Sequence, residues 1–225
     1  MGRTIVIGDI HGCYDELVSL LENANLADDD QVVAVGDLIV KGRKNKEVLN
    51  LFSTDERFSS VIGNHDLAIL KFWRGEITRL KESQRRACVE LESERERYTA
   101  YLSSLPFIID LGRHAVVHAG VRPGITLNEQ TPEDLTELRT LGADRTSREG
   151  TPWYDLYDGE KVILFGHWPA PMPRWSTHAI GLDTGCVYGN QLTAYVLETE
   201  QFFQVPAKEV YDVPRRRLLV DATQD

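Results

Sequence analysis

The chain has 225 residues, 42% of them apolar, which is enough to bury one substantial core, and a formal net charge of −10 from Lys+Arg 25 against Asp+Glu 35. That balance excludes broad electrostatic attraction to nucleic acid, so an acidic chain of this kind can handle phosphates only with cations gathered locally, from metals or clustered Arg and Lys. Cys13, Cys88 and Cys186, odd in number and far apart, argue against a disulfide framework, and Met1-Gly2-Arg3 runs into a short strand with no long apolar stretch, so the expectation is a cytoplasmic protein without signal peptide or membrane span.

Thr4 to Ile7 reads as a strand, and Leu17, Leu20, Leu21 and Ala24 recur at helical spacing. A second strand (Gln31 to Val35), a second helix (Asn45 to Leu51) and a third strand (Ser59 to Ile62) follow. This β-α-β-α-β order predicts parallel strands with crossover helices. Residues 66 to about 104 are charged and nearly free of Gly and Pro, and read as two or three mostly solvated helices forming a cap or insertion beside the core. From Pro106 strands return: Phe107 to Leu111, His114 to Val117, Lys161 to Phe165, His178 to Leu182, then the pair Leu192 to Leu197 and Phe202 to Val205. Short turns predict a mainly antiparallel half. Residues 122 to 160, rich in Pro, Gly, Thr and charge, read as loop over the site, and the tail after Pro206, with Arg215, Arg216 and Arg217, as an edge-packing or fraying segment. The expected organisation is one domain over 1–225, with the helical insertion at about 66–104 and the tail at about 206–225.

Five segments share one design, an apolar strand ending in Gly or a small residue and then a metal-type ligand. They are IVIGDIHG with Asp9 and His11, VVAVGDLI with Asp37, SVIGNHD with Asn64 and His65, AVVHAG with His118, and VILFGHW with His167. Glycine permits the tight turns and close backbone approach that converging ligands need, and strand-end ligands fall on one rim of a sheet. Carboxylate, imidazole and amide ligands without cysteine suit Mn, Fe, Zn or Mg rather than a structural zinc. Six ligands are too many for one open catalytic ion and fit two. An ion pair about 3.5–4 Å apart clamps the attacking and leaving oxygens of an in-line phosphoryl displacement and lowers the pKa of a bound water to about 7. The reaction class is hydrolysis of a phosphoester or phosphoanhydride.

In this order, the G-D-x-H-G, G-D, G-N-H-D, H-A-G and G-H series resembles the calcineurin-like metallophosphoesterase family, in its branch with the phosphoprotein phosphatases and the symmetrical diadenosine tetraphosphate hydrolases. The resemblance spans Arg3 to about Val205. It implies an α/β four-layer sandwich of two mixed sheets between helices. It also implies two divalent ions, manganese first, with iron, zinc, magnesium or cobalt as further fits. By that match Asp9 and His11 hold one ion, Asn64, His118 and His167 the other, Asp37 bridges them, and His65 is the general acid.

The loop GDLIVKG departs from the family's G-D-x-V-D-R-G: Val40 stands where an aspartate orients the acid histidine, and Lys41 where an arginine grips the phosphoryl group. A planar bidentate clamp has become a point charge on a flexible stem. Asp66 could orient His65 or cap the following helix, and Asp183 could support a metal ligand or stabilise its turn. Lys41, Arg43 and Arg122 are the candidate phosphate-binding residues, whereas Arg139, Arg148 and Arg174 read as solvated. Trp153, Trp168 and Trp175 read as loop packing, with Trp168, beside His167, the best placed of the three to stack on a nucleobase. His114 and His178 read as structural, and Cys186 as a buried inert thiol.

The expected function is a dinuclear phosphohydrolase cleaving phosphoanhydrides of dinucleoside polyphosphates or polyphosphate, with broader phosphatase activity on phosphoproteins as a further possibility. The alternatives are a serine/threonine protein phosphatase and a non-catalytic metal- or phosphate-binding scaffold, whose signature, loss of ligands, is absent here. Expected partners are phosphorylated small molecules or nucleotides, without non-specific nucleic-acid binding and without a membrane.

Overall fold

The apolar runs of the first third do pair in parallel. In the computed structural model, which describes residues 2–213, β1 (Thr4–Ile7), α1 (Tyr14–Asn23), β2 (Gln31–Ala34), α2 (Asn45–Thr54) and β3 (Phe58–Ser60) make two successive crossovers, with β2 beside both β1 and β3. Three helices follow, α3 (Asn64–Trp73), α4 (Glu82–Leu91) and α5 (Arg95–Ser104). Then come β4 (Ile108–Leu111), β5 (His114–Val117), α6 (Pro132–Glu137), β6 (Val162–Phe165), β7 (Arg174–Trp175), β8 (Ala179–Gly181), β9 (Gln191–Val196) and β10 (Gln201–Pro206). Among the described residues the strands form two five-stranded mixed sheets, in the orders β10-β9-β1-β2-β3 and β4-β5-β6-β8-β7.

Two expectations for the second half change. β5, β6 and β8 run parallel, and only the β4 and β7 edges of that sheet are antiparallel. Their connections are long, residues 118–161 and 166–178, so the chain has room to return to the same end before re-entering the sheet. β9 and β10 form the expected hairpin, yet it joins β1 in the first sheet. The helices of residues 64–104 are also less solvated than their charge suggests. Ile69, Leu70, Trp73, Ala87, Leu91, Tyr98 and Leu102 share the core of Val48, Leu49 and Phe52 from α2. The spacing of four between Ala87 and Leu91 and between Tyr98 and Leu102 carries that buried stripe through a mostly charged surface.

Alternation along the strands builds the layers. Val6, Val33, Val35 and Val61 meet Val116, Leu164, Ile180 and Leu182 between the two sheets. Ile5, Ile7, Val32 and Ala34 face the helices, and Ala115, Val117, Ile163 and Phe165 pack on Leu135 and the buried Trp153. Each such side chain contributes about 1.5–3 kcal/mol by leaving water. The expected α/β sandwich of two mixed sheets flanked by helices is therefore the fold observed. No described helix is long and apolar enough to cross a membrane. Beyond β10, Tyr211 docks its hydroxyl on the buried Glu16 at 2.7 Å; Arg215, Arg216 and Arg217 lie outside the described residues.

Asp30 fixes the entry to both first strands. Its carboxylate accepts from the Arg3 amide (2.7 Å), the Ala27 amide (2.9 Å) and the Arg3 guanidinium (2.5 Å). The Arg3 hydrogen bond, helped by those amides against the cost of burial, holds the carboxyl well below the usual carboxylate range. A depressed folded-state pKa stabilises above the unfolded value, about 3.9, and that contribution is lost as pH falls through the folded value. Asp30→Ala is expected to cost about 2–4 kcal/mol at neutral pH. The gap from wild type should narrow in melts below about pH 4; a gap that stays constant with pH would assign the loss to packing.

Candidate active site

All six sequence-predicted ligands arrive at one rim, three from the ends of β1 to β3 and two from the ends of β5 and β6, with His11 on the loop after β1. The turns that deliver them are strained. His11, Asp37, Val40, Lys41 and His167 all have left-handed backbones, with φ of 49°, 51°, 79°, 74° and 65°. For a β-branched residue such as Val40 this is a true outlier, and strain of this kind costs about 1–3 kcal/mol per residue. Gly36, at φ 94°, has no alternative: a Cβ there would stand 2.7 Å from the Gly63 nitrogen and 2.9 Å from His118 Nδ1.

The donor atoms converge on Asp37 and Asn64. His11 Nε2 lies 3.4 Å from Asp37 Oδ2 and 4.0 Å from Asp9 Oδ2. On the other side His118 Nε2 lies 3.6 Å from Asp37 Oδ1 and 3.0 Å from Asn64 Oδ1, and His167 Nδ1 lies 3.0 Å from the same Asn64 oxygen. Supporting carbonyls set the tautomers. His11 Nδ1 donates to Ile39 O (3.1 Å) and His118 Nδ1 to Val35 O (2.8 Å), which leaves both Nε2 lone pairs facing inward. Asp9 accepts from the His167 amide at 3.0 Å, and Asp37 from the His65 amide at 2.9 Å.

Asp66 resolves into one of its two expected roles. Its carboxylate accepts from the Gly63 amide at the start of α3 (3.1 Å) and from the Leu38 and Ile39 amides (both 3.2 Å), so it caps the helix and holds the Asp37 loop. It makes no hydrogen bond to His65, whose Nδ1 is buried without a partner among the described residues. Asp183 accepts from the Gly185 amide at 3.0 Å in its own turn and also lines the cavity.

The electrostatics are those of a cation site. Burial, reinforced by Asp183 and by Asp37, raises the Asp9 pKa well above the carboxylate range, and burial pushes Asp37 up to about 7. Burial depresses His11, His65 and His167 and brings His118 down to about 4, so the imidazoles present neutral lone pairs. Buried acids that raise one another and neutral imidazoles aimed at the same two points fit a pair of divalent ions, one between Asp9, His11 and Asp37, the other between Asp37, Asn64, His118 and His167. The clusters Asp9–Asp37–His118 and His11–Asp37–His65 each bring their ligand atoms within 4.8 Å of one another.

These residues floor a cavity of about 660 Å³. Of the candidate phosphate-binding cations, Lys41 faces it. Its ammonium donates to His11 Nε2 at 2.8 Å and lies 5.1 Å from the Tyr188 ring centre. Burial opposes its charge, but Tyr188 and Asp37 outweigh that and keep its pKa above the usual lysine value. The ammonium thus occupies the His11 lone pair that a bound ion would need. Arg122 instead forms a fork with Asp134 (2.7 and 3.0 Å), and the exposed Arg43 pairs with Glu209 (3.0 Å); neither lines the cavity. Arg139 and Arg148, read as solvated, do line it, and Arg139 Nε is buried without a partner among the described residues. The signal for Arg139 was Thr131-Pro132-Glu133-Asp134, a helix start with its cap, its proline and two acids, which sets Arg139 just past α6. Trp168 stacks under the Arg174 guanidinium, 4.8 Å from the ring centre, and Trp153 is core.

Comparison with known proteins agrees with this geometry. A curated symmetrical bis(5'-nucleosyl)-tetraphosphatase of Vibrio campbellii is 28% identical over 261 aligned positions, covering 89% of this chain and 97% of the relative. An asymmetrical bis(5'-nucleosyl)-tetraphosphatase of Bacillus subtilis is 28% identical, covering 94% of this chain and 98% of its own. Among solved structures, a protein provisionally named a diadenosine tetraphosphatase superposes with a TM-score of 0.79 at 32% identity, over 92% of this chain and 94% of the other. A serine/threonine phosphatase from Saccharomyces cerevisiae, at TM-score 0.66 and 16% identity over 95% and 81%, shares the fold. The sequence profile of the calcineurin-like phosphoesterases matches residues 2–201, and the chain belongs to that family of metal-using hydrolases of phosphoester and phosphoanhydride bonds.

Proposed function

We propose that the protein hydrolyses phosphoanhydride bonds of dinucleoside polyphosphates, with linear polyphosphate as the next class, using two divalent ions of which manganese is the foremost fit. Asp9, His11 and Asp37 would hold one ion and Asp37, Asn64, His118 and His167 the other. When bound, the pair supplies Lewis acidity toward the phosphoryl oxygens and a water of lowered pKa. Lys41, which faces the cavity, meets a phosphoryl oxygen as a point charge. His65 gives a proton to the leaving oxygen.

The observation that supports an anhydride over a phosphoserine is the unpartnered Nδ1 of His65. Among the described residues no carboxylate hydrogen-bonds the imidazole at Nδ1 to orient it, since Val40 occupies the place expected for one and Asp66 is engaged elsewhere. A serine alkoxide needs a well-held acid to leave, whereas a nucleoside phosphate leaves as a good anion with little protonation. The named activities of the Vibrio and Bacillus relatives support the same class.

The test is manganese-loaded protein assayed side by side on diadenosine tetraphosphate, polyphosphate, an aryl phosphate and a phosphoserine peptide. The tetraphosphate should show the highest kcat/KM, about 10-fold or more above the peptide. A peptide preference would favour the protein-phosphatase alternative.

A further inference from the structure

The catalytic cavity has two cationic walls, and they differ in origin. One carries Arg139 and Arg148 from the chain after α6. Burial, and then the charge of Arg148, depresses the Arg139 pKa, so two guanidinium groups crowd one another there. The other wall is the start of α4, where Lys81, Glu82, Ser83 and Arg86 line the cavity. Lys81 and Arg86 are exposed, and among the described residues no acid pairs with either. Their nearest acidic neighbour on the helix, Glu82, is drawn off by Arg85 at 2.5 Å. The helix end itself adds partial positive charge to this wall.

With His65 as the proton donor proposed above, the α4 wall, whose Lys81 lines the same cavity as His65, is the wall offered to the leaving group. α4 is also a fixed platform: its Glu90 accepts from Asn45 Nδ2 (2.5 Å) and the Lys46 amide (3.0 Å), and the same Asn45 accepts from the Val40 amide (2.7 Å). Those contacts tie the helix to the loop that carries Asp37 and Lys41.

Resting on the phosphoanhydride reading above, we propose that Lys81 and Arg86 form a subsite for the leaving phosphates, so that α4 selects substrates whose leaving group is itself a chain of phosphates. A phosphoryl group over the ligand cluster, with its neighbours running toward α4, matches fixed cations with a polyanion of two or more units. An aryl oxide leaving group offers nothing for either residue to hold. Lys81 and Arg86 are specificity-determining residues by this argument, and the helices of residues 64–104 carry substrate choice in addition to core packing.

The experiment compares wild type with the double variant Lys81→Ala/Arg86→Ala on diadenosine tetraphosphate, inorganic tripolyphosphate and an aryl phosphate. Calorimetric binding of inorganic tripolyphosphate is measured in parallel. Charge-assisted hydrogen bonds of this kind predict a loss of about 10- to 100-fold in kcat/KM on the two polyphosphates, mainly through KM, and at most about 3-fold on the aryl phosphate. Tripolyphosphate binding should weaken to a similar degree. The charge-keeping variant Lys81→Arg/Arg86→Lys should recover most of it. An equal loss on all three substrates, or no loss of tripolyphosphate binding, overturns the subsite. Wild type that binds tripolyphosphate through these residues yet cleaves no anhydride would overturn the proposed function while leaving the subsite standing.

Discussion

Asp37→Asn is expected to lower turnover by about 10³-fold or more and to reduce bound metal measured by plasma mass spectrometry. Asp37 is the group that faces both halves of the cluster, 3.4 Å from His11 Nε2 through one oxygen and 3.6 Å from His118 Nε2 through the other. Asparagine keeps the shape and can keep Oδ1 as acceptor for the His65 amide, so the fold should survive. What it removes is the negative charge between two cations, and the half of the donor set that then lacks a counter-charge should release its ion first. Melting curves taken with and without a chelator accompany the metal analysis. Wild-type metal content together with wild-type turnover would remove Asp37 from the role of bridge.

His65→Ala should separate proton transfer from metal binding. Metal content should stay near that of wild type, because the six proposed ligands and their supporting carbonyls are untouched, while turnover falls by about 10²–10⁴-fold on an alkyl phosphate. The imidazole meets the His11 ring edge-on at 5.1 Å, so it stands at the cluster's edge. The loss should shrink for an aryl phosphate or an anhydride, whose leaving groups depart as stable anions. Equal losses across leaving groups would make His65 a positioning residue for the phosphoryl group.

How much of this was legible beforehand depends on whether the signal was local. Asp9, Asp37, Asn64 and His167 could be read because each follows a short apolar run and a Gly, and His118 because it ends such a run directly, so position along a strand and position at the rim are the same information. Parallel pairing of β1 to β3 followed from the helices between them. The partner of β9 did not, since joining β1 is a contact between residues about 190 apart that no local pattern encodes. The parallel run β5-β6-β8 was hidden by irregular connections mistaken for short turns. Arg139, Arg148, Lys81 and Arg86 were missed for a related reason: a cation on a cavity wall and a cation in open solvent look alike in a charged stretch. Arg122 illustrates the converse, since its closeness in sequence to His118 placed it near the site while Asp134 holds its side chain elsewhere.

The ligand cluster is also the seam of the molecule. Asp9, Asp37 and Asn64 come from the first sheet and its following turns, His118 and His167 from the second, and the hydrogen bonds Asp9 to the His167 amide and Val35 O to His118 Nδ1 cross between them. Ions bound there would act as rivets between two halves that otherwise meet largely through non-directional apolar packing. Whatever binds the native state alone stabilises it by mass action. Metal supply would then set the lifetime of the protein as well as its rate: a chain starved of ions opens more often at the rim, and the fraction open to proteases rises with it.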